Sequence, residues 1–241
     1  MADKLLCILT SVTQHPMQAM PGPLLGMSQS HAKKWILLLH TMLNQAFGQP
    51  ELLPARTAAE LATLLTSQQT TEGPTSPLFG MIGRRDRSTA PPAYDSGKKQ
   101  CQTITNLRVL DEAGQIGFLS ATYAGKANDT ILAEWEGYRL PPGSDLSQEM
   151  GFQGCVLADV TIIQPQKKPR GGELTLPEKA TKRRISSIRI RIEHAIGGVK
   201  RYRMVKDNIR LLQDGMRDTM METCCGLHND RLQYRPWHYA S

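Results

Sequence analysis

No stretch of this chain offers the ~18 uninterrupted apolar residues that a membrane-spanning helix needs. The best candidate, WILLLHTML, is broken by His40 and preceded by Lys33 and Lys34. The opening MADKLLCILT has a lysine and a short apolar patch but no proper cleavage region, so no secretion signal is expected. Aromatic residues are sparse, at 5%. Cysteines number five, an odd count with Cys224 and Cys225 adjacent. That excludes a disulfide framework and predicts a reducing, cytoplasmic setting. Cys224, Cys225 and His228 have no second ligand pair at zinc spacing, so with Met220 and Leu227 they read as a packing face.

What the chain does have is positive charge, and in one place. Residues 165–210 hold 14 Lys and Arg against 4 Asp and Glu, although the 241-residue chain nets only +7. The remainder is slightly acidic. A surplus gathered this way is the electrostatic footprint of nucleic acid. Within it, RRISSIRIRIEHAIGGVKRYR puts Ile185, Ile188, Ile192, Ile196 and Val199 at steps of three and four, which predicts one helix with a single core-facing stripe. Arg184, Arg191, Lys200, Arg201 and Arg203 lie off that stripe or beyond it, as donors for phosphate oxygens. Glu193 stands next to the stripe, and its alternative is a surface pair with Arg189 or Lys200.

The same residues carry a resemblance. RIRIEHAIGGVKRYR, the downstream METCCGLHNDRL, and the upstream GFQG and KKPRGGELTLPEKA resemble the C-terminal half of DDE transposases of bacterial insertion sequences, the branch related to Harbinger elements. Weaker matches extend the resemblance to nearly all of the chain from Met27 onward. It implies an α/β, ribonuclease H-like mixed sheet flanked by helices, and metal-dependent cutting and joining of DNA by three carboxylates.

In chain order, residues 1–22 are poorly defined by pattern. Residues 23–66 form a small helical unit: Gly26 turns the chain, Ser28 is a candidate N-cap, and Ala32, Trp35, Ile36, Leu39 and Met42 or Leu43 make an apolar face. A helix-turn-helix reader presenting Gln29, Ser30, His31, Lys33 and Lys34 and a plain helical hairpin both fit. Thr57 and Glu60 predict a capping box before Leu61, Leu64 and Leu65. Residues 67–77 read as a linker, 78–235 as the catalytic-type domain and 236–241 as a tail held by Trp237. Paired strands are expected at 101–111 and 115–123, turning at Glu112, Ala113 and Gly114. A helix follows, capped by Asn128 or Asp129, with Ile131, Leu132 and Trp135 inward. PQKKPRGG supplies Lys167, Lys168 and Arg170 on a basic loop that can press on phosphates, and Lys98 and Lys99 match a family element.

The acids decide the chemistry. Two divalent ions ~3.5–4 Å apart can hold the attacking and leaving oxygens of a phosphodiester in line, and hard oxygen ligands select Mg2+ or Mn2+. The resemblance implies ligands at Glu193, at Glu149 where relatives carry aspartate, and at Asp129, which otherwise serves as a helix cap. The first family acid falls on Ile82, in PLFGMIGRRDR. Asp86 is the only nearby substitute, in a stretch without an evident strand pattern. The expectation is a transposase-type DNA endonuclease and strand-transferase whose cutting is impaired, or a DNA-binding remnant without chemistry. By resemblance it acts on double-stranded transposon ends as a homo-oligomer, in the bacterial nucleoid, with no membrane partner.

Overall fold

A computed structural model describes residues 2–14, 26–48, 51–69, 78–87, 95–96, 101–124, 127–148, 150–152, 154–164, 175–207 and 215–237. Its centre is a mixed sheet built on two ten-residue strands, β1 (Leu78–Arg87) and β3 (Cys101–Leu110), paired antiparallel. The short β2 (Asp95–Ser96) pairs with the start of β3. After the turn, β4 (Ile116–Leu119) and β5 (Tyr123–Ala124) return antiparallel along it. On the other edge of β1 lies β6 (Asp145–Gln148), parallel to it, and then β7 (Thr161–Ile163), parallel to β6. The hairpin turns where expected, with Gly114 at φ +84°, a left-handed backbone suited to glycine.

Alternation along β3 divides the interior into two layers. Ile104 and Leu110, with Ile116 and Leu119, meet α1 (Ala2–Gln14), α5 (Leu176–Lys200), α6 (Arg203–Lys206) and α7 (Met216–Tyr234). Leu107 and Val109, with Phe118 and Leu146, meet α3 (Ala58–Gln69) and α4 (Asp129–Glu136). The stripe of α5 is as predicted: Ile185, Ile188, Ile192, Ile196 and Val199 are all buried, joined by Ala195. Cys224 and Cys225 are buried in the first layer, and burial pushes the Cys224 thiol well up and that of Cys225 to about 11. Both are packing groups.

Several expectations change. Residues 2–14, left undefined by the sequence pattern, form α1, whose Cys7, Ile8, Ser11 and Val12 are buried at helical spacing. The helix α2 (Gln29–Gly48) buries Ala32 and Ile36 as expected, while Met42 is exposed and Leu43 is packed. Ser28 caps it, accepting from the His31 backbone at 3.4 Å. α2 is tied to α7 by Asn44, whose Nδ2 donates to Glu222 Oε2 at 3.0 Å. The N-terminal helices therefore share one core with α5 and α7.

The Thr57 and Glu60 capping box is formed, but α3 runs on to Gln69, into the expected linker. Residues 70–77 lie outside the described set. In α4, Leu132 and Ala133 are buried, whereas Ile131 and Trp135 are exposed. An eight-residue helix has room for one buried stripe, and Trp135 lies over Tyr123 instead, ring centroids 6.1 Å apart.

Candidate active site and basic face

Position 82 lies in the middle of the sheet. The backbone of Ile82 pairs with Arg108 of β3, and Met81, one residue before it, pairs with Gln148 at the end of β6. The head of the parallel β1/β6 pair is where acids from two strands can converge. Isoleucine brings no ligand atom there. Asp86 does lie in a strand, correcting the sequence expectation, but its backbone partner is Ile104. Four residues of strand is about 13 Å, far more than an aspartate side chain spans, so Asp86 does not stand in for position 82. Glu149 follows Gln148 and is outside the described residues.

At the start of α4 the cap is Asn128, whose Oδ1 accepts from Thr130 N at 3.1 Å. Asp129 is thereby released from capping and lies against the turn that follows β6. A Cβ on Gly151 would stand 2.7 Å from Asp129 Oδ2, so a larger residue there would make the carboxylate move aside. The Thr130 hydroxyl donates to Gly151 O at 3.1 Å and closes the contact. Asp129 thus lies against Gly151, which follows Glu149 by two positions in the sequence.

Glu193 faces away from the layer beneath α5. Its carboxylate is 4.0 Å from Arg189 Nη2, with side-chain exposures of 46% for Arg189 and 58% for Glu193. This is the surface pair that the sequence left open. Its neighbour His194 meets Trp237, ring centroids 6.0 Å apart, so the tail aromatic anchors that end of α5.

Among the described residues no complete two-metal centre is gathered. One position holds isoleucine, one acid points outward, and among the described residues no three His, Cys, Asp or Glu are gathered to hold an ion.

Residues 87–229, well over half of the chain, match the family described as DDE superfamily endonuclease. The chain belongs to that family. Nucleases of the DDE superfamily generally use divalent metals and act on DNA. The matched span contains Asp129, Glu149 and Glu193 and begins beyond Ile82, so the first-acid position is outside it. No curated protein and no solved structure matches the chain.

The cations expected to serve this DDE endonuclease chain on DNA are spread over two regions. Lys33 and Lys34 are exposed on the first turns of α2. Arg201 and Arg203 are exposed just past α5, with Arg203 Nε on Asp207 Oδ2 at 3.0 Å, while Arg191 and Lys200 are half-buried. Arg184 lies in α5 with its side chain outside the described set, as are Lys167, Lys168 and Arg170. Sequence reasoning missed how early α5 begins. Thr175 and Glu178 form a capping box with Pro177 in the first turn, and this adds Lys179 and Lys182 to the same helix as Arg183. The T-x-P-E signal was legible.

Proposed function

We propose that the chain is a transposase-type DNA endonuclease and strand-transferase of an insertion sequence, impaired in strand cutting at position 82. One observation carries this reading: Ile82 sits at the head of the parallel β1/β6 pair, beside the end of the strand that leads into Glu149. A ribonuclease H-like domain over 78–235 is supported by the strand directions. β3 runs antiparallel to β1, β4 and β5, while β6 and β7 add in parallel beyond β1, directions consistent with that arrangement. The catalytic and metal-binding assignment remains Glu193, Glu149 and Asp129, with Mg2+ or Mn2+ as the ion. For Asp129 the support is its approach to Gly151. Lys33, Lys34 and the cations around α5 bind transposon-end duplex, with the Ser28-capped α2 as a helix-turn-helix-like reader. The protein works as a homo-oligomer in the bacterial nucleoid.

The second reading, a DNA-binding derivative without chemistry, is favoured by the exposed Arg189 and Glu193 pair. Nicking of supercoiled plasmid with Mn2+ separates them. The unmodified chain, Ile82→Asp, and Ile82→Asp with Glu193→Ala are compared. Nicking gained by Ile82→Asp and lost again with Glu193→Ala is the expected result. Silence of all three, with duplex binding retained, leaves the second reading. Strong nicking by the unmodified chain sinks the claim of impairment.

A further inference from the structure

The first turns of α5 are helical, and none of their described side chains is packed. From residue 175 to 183 every described side chain is exposed, and the first buried one is Ile185. No described side chain holds these turns by burial, although packing stabilises most helices. The cap does. Thr175 N and Oγ1 both donate to Glu178 Oε2, at 2.7 and 2.9 Å, and these bonds hold the Glu178 carboxyl below its usual range. The one acid of this stretch is thus engaged in the cap. Lys179, Lys182, Arg183 and Ser186 fall at i, i+3, i+4 and i+7, on the face opposite Ile185, Ile188 and Ile192, and all four are exposed. Arg189 extends that face.

We propose that residues 176–184 are a preformed basic arm that crosses a groove of double-stranded DNA and contacts its phosphates through Lys179, Lys182 and Arg183. The occupant follows from shape and charge. Nine helical residues span about 13 Å, close to the ~12 Å width of the major groove. A straight cationic ridge of that length fits the regular phosphates of a duplex. The arm is already folded, so binding costs little ordering entropy. This inference rests on the DNA-binding reading and adds residues to it.

The test is fluorescence anisotropy of a labelled random-sequence 30-base-pair duplex titrated with the full chain across a KCl series. Three proteins are compared: the unmodified chain, an arm variant with Lys179→Gln, Lys182→Gln and Arg183→Gln, and a charge-matched control with Lys4→Gln, Arg139→Gln and Arg235→Gln. Three lost phosphate contacts lower the slope of log K against log salt by about 2.7. That drop is expected in the arm variant only, with unchanged melting temperature because the replaced side chains are exposed. Should the triple variant lose helix by circular dichroism, each single substitution is expected to lower the slope by about 0.9. An arm variant equal to the unmodified chain overturns the arm and leaves DNA binding standing. An equal drop in the control also overturns it, since net charge then explains the effect. An unmodified chain that ignores the duplex sinks the DNA-binding reading itself, and the arm with it.

Discussion

Gly198 of α5 and His228 of α7 fit into one another: a Cβ on Gly198 would overlap the Nδ1 edge of the imidazole, with Cε1 at 2.6 Å. On its other side the His228 Nε2–H donates to Gly114 O at 3.0 Å, and Trp237 covers the ring with centroids 5.5 Å apart. One histidine thus joins α5, α7 and the hairpin turn. The contact fixes how close α5, and with it Glu193, lies to the sheet.

Gly198→Ala should destabilise the protein by about 1–3 kcal/mol, the usual cost of overpacking, read as a lower urea midpoint. A Cβ on Gly197, one residue earlier and exposed, would meet nothing within 4 Å. Alanine there should be neutral or slightly stabilising, because glycine is the poorer helix former. Equal losses at both positions would show that helix flexibility, not the His228 contact, requires these glycines.

The same turn holds two groups whose titrations oppose each other. Burial pushes Asp111 up to about 6, against backbone donors including Gln115. Its folded pKa exceeds the unfolded value of about 3.9, so the folded state binds more protons and this residue costs stability as pH rises from about 4 to 6. Asp111→Asn keeps the acceptor for Gln115 N and should stabilise the protein at pH 7, with the gain vanishing below about pH 4. His228 is lowered by burial, with Arg231 and Arg201 acting in the same sense. The unfolded state then binds its proton first, so stability falls as pH drops below about 6.5. His228→Gln should flatten that acid-side loss. Urea melts of both variants between pH 4 and 8 would reveal the opposite slopes.

Arg56, just before α3, donates through Nη2 to Asp218 Oδ1 of α7 at 2.8 Å and through Nη1 to Ser120 O at 3.0 Å. Both side chains are largely covered, at 23% and 35% exposure. Arg56→Ala should cost about 1.5–3 kcal/mol, the range for hydrogen bonds to charged groups. Asp218→Asn should cost less, since Arg56 keeps Ser120 O and Thr122 keeps an acceptor. A double-mutant cycle in thermal melts checks the coupling.

Asn229 is buried on α7, accepting from Ile116 N at 2.9 Å and donating to Ile116 O at 3.0 Å and Leu52 O at 2.9 Å. Asn229→Ala leaves three backbone groups without their partner and should cost more than about 3 kcal/mol. Soluble yield and urea midpoint measure it, and a loss under about 1 kcal/mol would mean that water replaces the amide.

By itself the sequence determined what is local or periodic: the stripe of α5, the hairpin at Gly114, the Thr57 and Glu60 box, the packing role of Cys224 and Cys225, and the family. Each depends on residues within a turn or two of one another, or on a contiguous motif. Only the tertiary structure decided which charged groups meet. It made the Ser67–Gln69 stretch helix, turned Ile131 and Trp135 outward, set Asp129 against Gly151 and left Glu193 beside Arg189 on the surface. It also showed that Asp86 lies four residues of strand from the place an acid is needed. A helix pattern says which positions prefer apolar surroundings, but it is silent on which distant strand supplies them. Where a side chain ends up is settled by that partner, through strand register and the closest approach that glycines such as Gly151 and Gly198 permit.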